Sequence, residues 1–354
     1  MPFRKPIGGE QWFDVNLFNN SLNNFENTIG TFLSGGQSSL NFIVKSLEIR
    51  PDEYILLPAY LCPTIVWNFD RNKVSYDFYK INSDLSIDKE DLQAKIEKHN
   101  VRAVFFIDYF GFYHDSKSLD FLSSLKNNRI ALIEDAAQML WLERKGFIGD
   151  YIFNSYRKFL PIDGSIVLSE TTADYEGVQD EYYEYVNMAR MKITAYAKYG
   201  LGTVEEFAGL FAKAEKAYGN GTQINGMMEI SRYLLNKVDV EHIGKVRRNN
   251  FSYLFDRLSG LESIKPLIDK KGLAENIPLG FPILIRNRDR IKMDLRSKAI
   301  YCAAHWPILE EKWVHGYKDS LYLAKNILTL PIDQRYGAED LDRLVRELLY
   351  LSAL

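Results

Sequence analysis

Lys158 stands in YIFNSYRKFLPIDGSIV (151–167), which reads as a short strand, a turn, and a Gly164-containing return into a second strand. An amine just past a dry strand end loses proton affinity, because burial disfavours the ammonium. A neutral amine can form a Schiff base with a carbonyl. The chain has 44 Lys plus Arg, and any one of them taken alone is by default a surface charge. The company of Lys158 therefore has to carry the reading. Asp135 closes the apolar run IALI with the acidic pair Glu134-Asp135. A buried carboxylate there needs a cationic partner, and a protonated heterocyclic nitrogen would be one. Asp135 can also cap a helix expected over AAQMLW (136–141). In SGGQSSLNFIVKSLEI (34–49), Leu40, Ile43 and Leu47 recur at helical spacing. The small residues at 34–39 thus run into a helix N-terminus, whose free N–H groups and dipole suit a phosphate. Ser and Gly at that place also supply a plain N-cap.

These residues need a scaffold, and the first half of the chain alternates. YILLP (54–58), VSYDFY (74–79), VRAVFFID (101–108) and RIALIED (129–135) read as strands. Helices are expected over 61–69, over 88–97 behind an Asp88 cap, and over 116–126. Strands alternating with helices predict an α/β fold whose large domain is a mainly parallel sheet flanked by helices. Ligands in such sheets sit at the carboxyl ends of strands. Asp108, Asp135 and the 155–158 turn all fall there. An N-terminal arm and a helix over 16–29 precede this pattern. The stretch 171–220 is tyrosine-rich and reads as two long helices, either a subunit contact or plain amphipathic surface helices. A helix follows at 222–238. Helices at 241–258, 288–298 and 333–351 and strands at 278–285 and 299–308 predict a smaller C-terminal α/β domain. The expected division is 1–235 and 236–354.

Composition excludes several classes. A formal charge of −3 with no basic block demotes nucleic acid as a partner. Two cysteines, Cys62 and Cys302, are too few for a disulfide framework or a Cys-rich zinc site, and the expected compartment is a reducing cytoplasm. Cys302 lies in an apolar run and reads as core. The five histidines, at 99, 114, 242, 305 and 315, form no close pair, so no metal is expected. The start shows no apolar leader, and no apolar run reaches the roughly 18 residues of a membrane span. No GxGxxG follows an expected strand, which sets aside a nicotinamide enzyme.

A phosphate, a protonated ring nitrogen and an aldehyde are the three handles of pyridoxal 5′-phosphate (PLP), which supplies its own electron sink. The small-residue turn, Asp135 and Lys158 match them in order and type. On these segments the chain resembles the DegT/DnrJ/EryC1/StrS family of sugar aminotransferases, which have the aspartate-aminotransferase fold (fold type I). IEDAAQ (133–138) is the sharpest match. By that resemblance Asp135 holds the pyridine nitrogen and Gln138 reaches the ring hydroxyl. GQSSL (36–40) resembles the phosphate turn, which makes Gly36, Gln37 and Ser38 phosphate contacts. GDYIFNSYRK (149–158) makes Ser155 a phosphate ligand and Lys158 the Schiff-base lysine. Asn225 in INGMM matches an asparagine that reaches the phosphate from the neighbouring subunit, implying a homodimer with shared sites. His305 in AAHWP matches a histidine near the substrate, and Arg157 and Asp108 join it as substrate contacts.

Three positions depart from the family's pattern. Cys62 replaces the aromatic residue over the cofactor, Met227 the arginine shortly after the asparagine, and Asp108 the histidine before Tyr-Gly. Cofactor handling reads as intact and substrate handling as altered. The resemblance implies transfer of an amino group, with glutamate as donor, to a nucleotide-linked keto-sugar. A PLP-dependent lyase or dehydratase on the same scaffold is one alternative. A non-catalytic aminotransferase-like binding protein is the other.

Overall fold

Uninterrupted apolar runs make the central strands, as expected where a sheet is covered on both faces. In the computed structural model, residues 4–18, 30–140, 146–172, 175, 177–218 and 221–353 are described. The strands are β1 (Ile7–Gly8), β2 (Thr31–Leu33), β3 (Tyr54–Pro58), β4 (Ser75–Tyr79), β5 (Val101–Ile107), β6 (Ala131–Asp135), β7 (Tyr151–Phe153), β8 (Ser165–Leu168), β9 (Ile264–Pro266), β10 (Phe281–Ile285), β11 (Ile300–Tyr301) and β12 (Ile327–Leu330). The helices are α1 (Gly36–Leu47), α2 (Pro63–Arg71), α3 (Lys89–Lys98), α4 (Ser116–Leu125), α5 (Asp180–Tyr199), α6 (Val204–Tyr218), α7 (Glu229–Leu235), α8 (Val240–Leu258), α9 (Arg288–Ser297), α10 (Lys318–Asn326) and α11 (Ala338–Ser352).

Strands β2 to β8 form a seven-stranded sheet in the order β2-β8-β7-β6-β5-β3-β4. The pairs β3–β4, β3–β5, β5–β6 and β6–β7 are parallel, while β8 runs antiparallel to both β7 and β2. Side chains alternate across a strand, and both faces here meet cores. Phe153 and Val167 join the cluster that α1 to α4 cover, whereas Ile152 and Ile166 join a second cluster with Leu235 and Ile243. Each fully buried Leu, Ile or Phe stabilises the fold by roughly 1.5–3 kcal/mol relative to exposure.

Local signals set the helix ends. Asp88 accepts the Asp91 N–H at 3.0 Å, and Asp115 accepts from Lys117 and Ser118. Pro63 opens α2, where its missing N–H costs nothing. Gly200 ends α5 in the left-handed conformation at φ 67°.

The second sheet is antiparallel, in the order β12-β10-β9. It packs with α8, α9 and α11 around Phe281, Ile283 and Leu344. Three expectations change. The strand expected at 299–308 is only β11, which pairs parallel with β1. Its short length follows from its neighbours: Ile7 and Gly8 pair with β11, Ala303 makes a single bridge to Thr329, and Pro307 has no N–H to offer. The N-terminal arm thereby joins the C-terminal layer, with Ile7 and Trp12 in its core. The helix expected at 222–238 is only α7, because residues 223–227 run extended beside β2. No helix follows Asp135 over 136–140; the chain turns there instead. The helix expected over 16–29 lies mostly outside the described residues, and only Val15–Leu17 form a single tight turn. The two long helices expected in 171–220 are α5 and α6, packed against each other. Among the described residues no helix is long and apolar enough to cross a membrane, and no group of three His, Cys, Asp or Glu is placed to hold a metal ion.

Candidate active site

The site forms where β5, β6 and β7 end and α1 begins. Asp135 is the last residue of β6 and is 5% exposed. Its Oδ1 accepts the Ala137 N–H at 2.9 Å, so the turn after β6 fixes the carboxylate. After β7, Ser155 leads a tight turn through Tyr156–Lys158, closed by Lys158 N–H to Ser155 O at 3.2 Å. The Tyr156 N–H donates to Gly164 O at 3.0 Å, which folds the return strand back over the turn. Gly164 is required there: its φ is +142°, and a Cβ would collide with the Met227 side chain.

Second-layer elements brace this turn. Arg247 of α8 is fully buried and lies 4.5 Å from the Phe159 ring centroid. It donates to Gln334 Oε1, Pro278 O and Leu279 O. Gln334 in turn donates to Phe159 O at 2.7 Å. On the other side, Asp163 is buried against Arg190 and accepts the Tyr182 hydroxyl at 2.6 Å, both from α5. Removing either charge of such a pair would strand the other in a dry interior.

Helix α1 begins at Gly35 with no side-chain cap and no acidic residue in its first turn. Its first N–H groups therefore face the cavity without a built-in anion. Gly36, Gln37, Cys62, Asp135, Gln138, Ser155, Arg157 and Lys158 all line this one cavity. Gln138 is held by the Phe110 N–H, which donates to its Oε1 at 2.5 Å. Cys62 lies with its Sγ 3.1 Å from Thr64 Oγ1. An adjoining cavity shares Arg157 and Lys158 and is lined further by Glu10, Gln11, Arg247 and His305.

The electrostatics follow from burial. The accessible face of Lys158 opens onto the two cavities. Enclosure by protein, then the Arg157 charge, hold its proton affinity below that of an ordinary lysine. Burial pushes the Asp135 carboxyl up to about 7, against the pull of the Ala137 N–H and of Lys158. Burial and the nearby Lys158 push His305 down to about 3, so it is a neutral imidazole. Its Nδ1 pairs with Thr329 Oγ1 at 2.8 Å. Arg157 forms an ion pair with Glu215 of α6 at 2.8 Å.

Three expected site residues do not line either cavity. Ser38 lies behind the cavity wall, its Oγ 2.8 Å from Ser34 Oγ. Asn225 sits beside it in the same chain, donating its N–H to Ser38 Oγ at 3.3 Å and accepting the Ser34 N–H at 2.8 Å. Asp108, expected to face substrate, lines neither cavity; it is fully buried beside Glu134, because the chain after β5 turns inward under Asp135 O. Conversely, Trp306, Tyr182 and Tyr218 line the first cavity and were not anticipated. The tyrosine-rich composition of 171–220 was the one available signal for the last two.

No family model matches the chain, and no curated protein matches it. Solved structures do. The PLP-form of Spr1654 from Streptococcus pneumoniae is 15% identical, with 92% of this chain and 87% of that chain covered at a TM-score of 0.67. DesV of S. venezuelae, in complex with a ketimine intermediate, is 15% identical, with 91% and 84% covered at 0.64. A DegT DnrJ EryC1 StrS aminotransferase from Brucella abortus is 16% identical, with 92% and 86% covered at 0.65. Across nine-tenths of its length, the chain has the fold of these aminotransferases, fold type I.

Proposed function

We propose that this protein is a PLP-dependent aminotransferase that moves an amino group from glutamate to a nucleotide-linked keto-sugar, in surface-polysaccharide or secondary-metabolite biosynthesis. The observation that carries the reading is the shared cavity: Lys158 and Asp135 face it together, and the uncapped start of α1 closes its far end. The residues present fit the cofactor. An anionic phosphate suits the helix start at Gly36 and Gln37, with Ser155 on the same cavity wall. A protonated ring nitrogen suits the buried Asp135 carboxylate, which otherwise lacks a fixed cation of its own apart from Lys158. When bound, PLP supplies the electron sink of the reaction.

The chain's own residues would do the rest. Lys158, with its lowered proton affinity, would hold the aldehyde carbon and later move a proton at the reacting carbon of the substrate. Asp135 would keep the proton on the ring nitrogen, and its burial makes that interaction strong. Gln138 would meet the ring hydroxyl. Cys62 and Trp306 stand on the cavity wall where the ring would lie against side chains. Arg157 and neutral His305, at the border with the second cavity, would contact substrate. The same reading includes a homodimer, cytoplasmic residence, and a division into a large domain (1–235) and a small domain (236–354).

The test is an absorbance titration with PLP, followed by glutamate. Bound cofactor whose visible band bleaches on glutamate addition, with 2-oxoglutarate released, supports the reading; keto-sugar screening then identifies the acceptor. Cofactor binding with no amine taken from any donor refutes it.

A further inference from the structure

Helix α6 delivers Tyr218 to the start of α1. A Cβ on Gly35 would lie 2.8 Å from the Tyr218 hydroxyl, and that hydroxyl lines the cavity beside Ser34, Gly36 and Gln37. Burial raises the proton affinity of the Tyr218 phenol, and the nearby Ser34 hydroxyl and Gln37 N–H draw it part of the way back. The Tyr218 oxygen therefore sits at the start of α1, with its own proton to give to an acceptor in the cavity. Burial keeps that phenol protonated.

The position of Tyr218 is fixed by several independent contacts. Gln179 Nε2 donates to Tyr218 O at 3.0 Å. The Tyr182 ring lies 4.9 Å from the Tyr218 ring, and Tyr182 is anchored to Asp163 in the turn that follows Lys158. One α6 turn earlier, Glu215 is paired with Arg157. The α5–α6 pair is thus fastened to the catalytic turn at Asp163 and at Arg157, with Tyr218 between them and α1.

We propose that Tyr218 is a ligand of the cofactor phosphate, supplied by the α5–α6 pair of the same chain. The inference rests on the PLP reading of this cavity. A phenol O–H donating to a phosphate oxygen is a charge-assisted hydrogen bond, stronger than a neutral one.

Two probes separate a phosphate contact from a structural role: PLP, and pyridoxal, which lacks the phosphate. Wild-type protein and Tyr218→Phe are titrated with each, by absorbance. The expected result is PLP binding weakened roughly 10- to 100-fold in Tyr218→Phe, with pyridoxal binding unchanged. Unchanged pyridoxal binding also shows that the variant is folded around an intact Lys158. Unchanged PLP binding, or an equal loss for both probes, overturns the assignment. Wild-type protein that binds neither probe overturns the cofactor reading itself, and this inference with it.

Discussion

Asp135→Asn should stabilise the cofactor-free protein, and the gain should grow with pH. Burial raises the Asp135 carboxyl from its ordinary 3.8 up to about 7, and the Ala137 N–H and Lys158 offset only part of that. A carboxyl with a folded pKa above its unfolded value contributes stability that is fully present below about pH 3.8. That stability is lost as the pH rises through about 7. At about 1.4 kcal/mol for each pH unit between the two values, wild type loses roughly 4 kcal/mol that the uncharged Asn retains. The Asn Oδ1 can still accept the Ala137 N–H, so the turn after β6 is preserved. For 354 residues, an unfolding entropy of about 2.1 cal/mol/K per residue converts this to roughly 5 °C in Tm. The assay is thermal melting of both cofactor-free proteins in buffers from about pH 4 to about pH 8. The two curves should meet at the acid end and separate toward neutrality. A gap that is flat across the range, or that narrows as pH rises, refutes the claim that Asp135 is held in a site that penalises its charge. Added PLP should narrow the gap by stabilising wild type more than the variant, because only the carboxylate gains a cationic partner.

Lys158→Ala should abolish turnover while leaving the melting temperature within a few degrees, since the amine borders open cavity space; borohydride treatment with PLP should label wild type at Lys158 by peptide mapping, and a label elsewhere would displace Lys158 from its role. Gly164→Ala forces a Cβ into Met227 at a φ of +142° and should cost on the order of 1–3 kcal/mol in a denaturation series. Arg190→Ala should cost about 3–5 kcal/mol at neutral pH, because it leaves Asp163 buried and uncompensated. The Arg190→Ala loss should shrink in acid, where Asp163 can be protonated; a pH-independent loss would assign it to packing alone.

The central sheet is legible in the sequence because its strands need no partner to be recognised. In VRAVFFI the residues from Ala103 to Ile107 are apolar without a break, and in ALIED those from Ala131 to Ile133, the pattern of short strands buried on both faces. The Asp135–Lys158 cavity was legible for a related reason: strand ends in a parallel sheet converge by topology, so residues at three such ends meet. What was not legible depends on who the neighbour is. AIYCAA has strand composition, yet its ladder holds only the two residues that meet Ile7 and Gly8, with Ala303 making a single bridge to Thr329. Asp108 shares its strand-end position with Asp135, but the chain after β5 dives beneath β6 and takes it out of the cavity. Tyr182 and Tyr218 reach the site through helix packing nearly twenty to sixty residues from Lys158 and Asp163, and no spacing rule encodes that. The helices were visible as amphipathic segments; which of their tyrosines faces the cavity was set by α5 meeting the Asp163 turn.

Three carboxyls, those of Asp108, Glu134 and Asp135, are buried at the ends of two adjacent strands. Carried as three charges, they would repel one another across a dry interior and drive Asp135 to hold a proton of its own. Their hydrogen bonds show how the fold avoids this. Glu134 Oε2 accepts two backbone N–H groups, from Ile148 at 2.9 Å and Gly149 at 2.6 Å. No protein donor meets either Asp108 oxygen among the described residues, and the Glu134 carboxyl is its acidic neighbour. Burial and the Glu134 charge push Asp108 well above the usual carboxylate range. Asp108 is therefore the member that keeps its proton. The pair then carries at most one charge, and two backbone N–H groups hold it on Glu134. Asp135 is left as the carboxylate that faces the cavity, near neutral pH poised between its two forms. A cation placed in the cavity would tip it to the charged form, and nothing else in the acid cluster competes for that cation.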